Sequence, residues 1–132
     1  MARILIAEDE EALREMCARA LSMTGHEVKT ACDGGDALDL LQREAGRFDL
    51  LLTDIRMPVM DGIALALAAA RDFPDVMILL MTGYADQRER AHGLDALIHD
   101  VIAKPFTLAT LRAAVEEALT VKACSSVSAA SV

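Results

Sequence analysis

The sequence predicts a doubly wound α/β domain, a five-stranded parallel sheet flanked by five helices. Two observations lead there. Short apolar runs alternate strictly with segments whose apolar residues recur at helical spacing, and a parallel sheet lets each crossover helix return the chain to the same edge, right-handedly. The runs "ILIA", "LLL" and "VMILLM" are also continuously apolar, as strands covered on both faces must be.

The elements follow in order. "ARILIA" (2–7) reads as the first strand. "EALREMCARALSMTG" (11–25) repeats apolar residues at Leu13, Met16, Cys17, Ala20 and Leu21, one face of a helix that Gly25 ends. "EVKTA" (27–31) is a strand, and "DGGDALDLLQREA" (33–45) a helix entered through Asp33 and Gly34. "FDLLLTD" (48–54) is the third strand, and "IALALAAARDF" (63–73) an alanine-rich helix stopped before Pro74. "VMILLMT" (76–82), the short polar helix "ADQRERAHG" (85–93) and "DVIAK" (100–104) come next. "TLATLRAAVEEALTV" (107–121) is the last helix, with Leu108, Leu111, Val115 and Leu119 on one side. The serine- and alanine-rich remainder loses periodicity, so the expected division is one domain over 1–121 and a disordered tail over 122–132.

Composition narrows the partners. A formal net charge of -8 argues against nucleic acid and anionic membranes and favours small cations and basic protein surfaces. The start "MARILIAEDE" is too soon interrupted by acids for a signal peptide or a spanning helix, which predicts a cytoplasmic protein. Cys17, Cys32 and Cys124 form no Cys-x-x-Cys pair and are read as reduced thiols.

Five polar residues break the apolar pattern at related places. Glu8 and Asp9 follow strand 1, Asp54 ends strand 3, Thr82 ends strand 4 and Lys104 ends strand 5. All sit at the carboxyl edge, where open α/β sheets bind ligands. In the order 2-1-3-4-5, strands 1 and 3 are neighbours and the three acids converge. Such a cluster calls for a cation, and Mg²⁺ suits hard oxygens. Asp54 then lies between the metal and the Lys104 ammonium, placed for in-line attack on a phosphoryl group, with the Thr82 hydroxyl donating to a phosphoryl oxygen.

The motifs "ILIAEDE", "LLLTDIRMPVMDG", "MTG" and "AKPF", in that order at strand ends, resemble the receiver domains of bacterial response regulators, the CheY-like family, over about residues 2–120. The resemblance implies Asp54 as phosphoacceptor; Glu8, Asp9, Asp54 and the backbone carbonyl of Arg56 as the Mg²⁺ site; and Thr82 and Lys104 as the pair sensing the phosphoryl group. It also implies a cis bond before Pro105, a tight turn at Gly62, and a phosphoprotein of a two-component phosphorelay that catalyses its own phosphorylation and dephosphorylation. The implied donor is a sensor histidine kinase or histidine phosphotransfer protein, and the implied output an unknown downstream protein bound through helix 4, strand 5 and helix 5. The expected form is a stand-alone receiver, loosely similar to the CpdR type. A receiver fragment of a larger regulator and a Mg²⁺-dependent phosphatase with an aspartyl nucleophile are the competing readings, although Asp54 lacks the Asp-x-Asp pattern of the latter.

Two positions depart from the commoner receiver pattern. Glu8 stands where Asp is more usual, and Val101 where an aromatic switch residue is common; Tyr84 is expected to take part of that aromatic's role and to shield the acyl phosphate. Asp61 and Asp33 are read as helix caps, the three histidines as non-catalytic, and most methionines as core filling.

Overall fold

A computed structural model describes residues 2–83 and 97–130. Five strands, β1 (Arg3–Ala7), β2 (Glu27–Ala31), β3 (Leu50–Asp54), β4 (Met77–Thr82) and β5 (Asp100–Ala103), form one parallel sheet in the order β2-β1-β3-β4-β5. Among the described residues there are four helices: α1 (Glu11–Ser22), α2 (Gly34–Arg43), α3 (Gly62–Asp72) and α4 (Leu108–Ala130). The helix expected over 85–93 lies outside the described residues, as does Tyr84.

Period-two alternation divides each central strand between two cores. Ile4, Ile6, Leu50, Leu52, Leu79 and Met81 pack on one face with Cys17 and Leu21 of α1 and Leu111 and Val115 of α4. Leu5, Leu51, Ile78 and Leu80 pack on the other with Leu41 of α2 and Leu65 of α3. Burial on both faces is the physical reason these strands read as unbroken apolar runs. β2, at the sheet edge, is largely exposed.

Caps and glycines set the connections. Asp33 caps α2 by accepting from Asp36 N at 2.7 Å, and Asp61 caps α3 by accepting from Ala64 N at 2.8 Å. Gly62 opens α3 because a Cβ there would fall 2.0 Å from the Asp54 carbonyl oxygen. The Lys104–Pro105 peptide bond is cis.

One expectation needs correction. α1 buries Cys17, Ala20 and Leu21, but Met16 is 40% exposed and Met23, at the helix end, 74%. These two methionines are not core filling; Met16 faces the cleft described below. α4 runs to Ala130, beyond the periodic segment over 107–121. Alanine favours helix without requiring an apolar face.

Candidate acceptor site and metal centre

The carboxyl edge of β1 and β3 gathers the acids. Ala7 pairs with Thr53, so Glu8 and Asp54, one residue further along each strand, emerge side by side. Asp54 is fixed from three directions: it pairs with Met81 of β4, Ile55 N donates to Met81 O at 3.1 Å, and Gly62 N donates to Ile55 O at 2.7 Å. Glu8 and Asp54 are buried and Asp9 is exposed. One oxygen from each of Glu8, Asp9 and Asp54 lies within 4.8 Å of the others.

Lys104 comes to this cluster from the other side. Its backbone N donates to Thr82 O at 2.7 Å, continuing the β4–β5 ladder, and its Nζ lies 3.1 Å from both Asp54 Oδ2 and Glu8 Oε2. Thr82 is buried at the end of the intervening strand. Glu8, Asp9, Asp54 and Lys104 are thus brought together and line, with Arg56, one open cleft of about 890 Å³, while Thr82 ends the strand between Asp54 and Lys104. Leu13, Met16 and Phe106 give this cleft an apolar rim beside its acids.

The charges do not balance. Burial, then the Asp54 charge, pushes the Glu8 carboxyl up to about 7 against the opposing pull of Lys104. Burial works against the Lys104 ammonium, but the charges of Asp54 and Glu8 outweigh it and raise its pKa. One ammonium therefore serves two buried carboxylates, with Asp9 close by. A set of hard carboxylate oxygens with surplus negative charge fits a small divalent cation such as Mg²⁺.

Sequence reasoning missed Arg14, whose Nη1 donates to Glu8 O at 3.0 Å and holds the loop that carries Glu8 and Asp9. No spacing in the sequence marks it, because its half burial and its partner both depend on how α1 sits against the end of β1. Burial, then the Glu8 charge, pushes the Cys17 thiol up to about 11, which leaves it a protonated core group. His26 links the Ala2 backbone N–H to Glu116 Oε1, and His99 lies 3.6 Å from Glu117. His92 lies outside the described residues.

Comparison with known proteins defines the class. A family model for the response regulator receiver domain matches residues 4–116, and the chain belongs to that family. It is 39% identical over 111 residues to response regulator MprA of Mycobacterium avium (strain 104), covering 84% of this chain and 48% of that protein. MprA of Mycobacterium tuberculosis (strain H37Rv) matches at the same identity, with 47% of its length covered. The chain spans about half the length of the curated relatives it matches. Among solved structures, a CheY-like receiver domain protein from Methanospirillum hungatei is 30% identical with a TM-score of 0.86, covering 95% of this chain and 98% of that one. TrrA from Thermotoga maritima, solved in complex with Mg²⁺–BeF, is 30% identical with a TM-score of 0.78, covering 89% and 99%. The protein is thus a receiver domain of the two-component response regulators. Among its described residues, no helix is long and apolar enough to cross a membrane.

Proposed function

We propose that this receiver is a phosphoacceptor switch in which Asp54 takes a phosphoryl group from a phosphohistidine of a sensor histidine kinase or histidine phosphotransfer protein. The observation that carries this reading is the position of Asp54, shared between the acidic cluster and the Lys104 ammonium at 3.1 Å. Glu8, Asp9, Asp54 and the backbone carbonyl of Arg56 would hold Mg²⁺. The metal supplies positive charge that offsets the carboxylates and the phosphoryl oxygens during transfer.

The chain's own groups do the rest. An Asp54 carboxylate oxygen attacks phosphorus and forms the new O–P bond. The P–N bond breaks, its electron pair returns to the donor imidazole, and that ring takes up a proton. Lys104 then pairs with a phosphoryl oxygen, and the Thr82 hydroxyl donates to another. Water later hydrolyses the acyl phosphate, so the domain resets itself without turning over an external substrate. The signal leaves through the surface of β5 and α4, which changes affinity for a downstream protein.

The complex of the similar TrrA chain with Mg²⁺–BeF supports probing this chain with both. In the deciding experiment, acetyl phosphate and Mg²⁺ are added and intact mass is measured. Wild type gains one phosphoryl group and Asp54→Asn gains none. Modification of any other residue overturns the reading, and sustained hydrolysis of small phosphomonoesters favours the phosphatase instead.

A further inference from the structure

The loop from Ile55 to Asp61 places Arg56, Met57 and Pro58 along the cleft, and its outer turn is strained. Met60 N donates to Pro58 O at 2.8 Å across Val59, whose φ is 68°. A bond from residue i+2 back to residue i around a positive-φ centre is the γ-turn of the rare, strained hand. A β-branched residue is poorly suited to it.

The neighbours show what holds the turn. Gly34, the buried first residue of α2, lies so close that a Cβ on it would fall 2.1 Å from Met60 O, and one on Gly35 would fall 2.9 Å from Val59 Cγ1. α2 is itself held, by its Asp33 cap and by burial of Ala37 and Leu41. At the loop's other end, Gly62 meets the Asp54 carbonyl just as closely, with 2.0 Å to an added Cβ. The loop is thus pinned from two sides by backbone approaches that only glycine permits.

We infer that Gly34 and the γ-turn at Val59 form a latch that sets the Ile55–Asp61 loop against the acidic cluster, which makes Gly34, outside the cleft, a positioning residue for the metal and the acceptor. This deepens the proposed function and rests on it. A side chain at position 34 pushes on Met60 O. The γ-turn is already strained and Pro58 has a fixed φ, so the displacement passes to Met57 and Arg56 in the cleft. Val59 is the release, because glycine in its place accepts positive φ without steric cost.

Calorimetric Mg²⁺ titration and thermal denaturation of four variants test the latch: Gly34→Ala, Val59→Gly, their combination, and Gly25→Ala as control. Gly25 has a φ of 93° and nothing within 4 Å of an added Cβ, so alanine there strains the backbone without touching the loop. Gly34→Ala should weaken Mg²⁺ binding about tenfold, the size of effect seen when groups supporting metal ligands are lost. Val59→Gly should weaken it less, with an unchanged or higher Tm, and the double variant should return to the Val59→Gly level. Gly25→Ala should lower Tm and leave Mg²⁺ affinity at the wild-type value. Wild-type affinity in Gly34→Ala overturns the latch, as does a loss that Gly25→Ala reproduces at a similar Tm. If Gly34→Ala fails to fold, unchanged Mg²⁺ affinity in Val59→Gly overturns it. A wild-type protein that binds no Mg²⁺ removes the proposed metal site itself, a failure read before any variant is compared.

Discussion

Lys104 Nζ reaches Asp54 Oδ2 at 3.1 Å although β4 lies between their two strands. The lysine stem crosses the end of β4 beside Gly83, where an added Cβ would lie 4.0 Å from Lys104 Cβ and Cδ. A long, flexible side chain over a small residue thus joins residues whose strands are not neighbours.

Removing that ammonium strands two buried carboxylates. Lys104→Ala should lower the stability of the metal-free protein by about 1–3 kcal/mol, the cost of leaving a buried polar group unsatisfied. Mg²⁺ should recover most of it, because the metal supplies the missing charge. Urea denaturation with and without Mg²⁺ checks this; equal losses in both conditions would contradict it. Lys104→Arg should keep phosphorylation and lose much of the response, since a planar guanidinium cannot replace a compact ammonium on one oxygen.

Metal binding should depend on pH through Glu8. Its carboxyl is pushed up to about 7 in the folded, metal-free protein, from an ordinary value of 4.5. Between these values the folded state holds a proton that the unfolded chain has lost. The contribution of Glu8 to metal-free stability is therefore full below the ordinary value and is lost as pH rises through about 7. Mg²⁺ requires the carboxylate, so its affinity should instead fall as pH drops from about 8 to about 6, with proton release on binding. Glu8→Gln should remove both trends. Calorimetry in buffers of different ionisation enthalpy measures the released protons.

The three acids of the cluster should differ from carboxylates elsewhere on the surface. Asp9→Asn and Asp54→Asn should each weaken Mg²⁺ binding about tenfold or more, as loss of a charged hard ligand does. Asp36→Asn should leave it unchanged, because Asp36 Oδ2 accepts from Cys32 N at the start of α2. Equal effects of all three substitutions would dissolve the site.

Gly62→Ala should cost about 1–3 kcal/mol or more, as overpacking does, because the new methyl would meet a backbone oxygen rather than a yielding side chain. The oxygen belongs to Asp54, so phosphorylation by acetyl phosphate should also slow. Chemical denaturation and mass spectrometry report the two effects separately.

The sequence by itself determined the strands, the sheet class and the place of each acid. Strands covered on both faces are nearly continuous apolar runs, so Glu8, Asp54 and Thr82 stand out at their ends, and Lys104 at the end of the shorter β5. The caps Asp33 and Asp61 were legible for a similar local reason, since an N-cap bonds only two or three residues ahead. Only the tertiary structure decided that Met16 faces a cleft rather than the core, that Arg14 grips the Glu8 carbonyl, and that Gly34 touches the Met60 backbone. Periodicity reports which side of an element is apolar. What that side meets depends on strand order and on close backbone approaches between distant segments, and these leave no regular spacing in the chain.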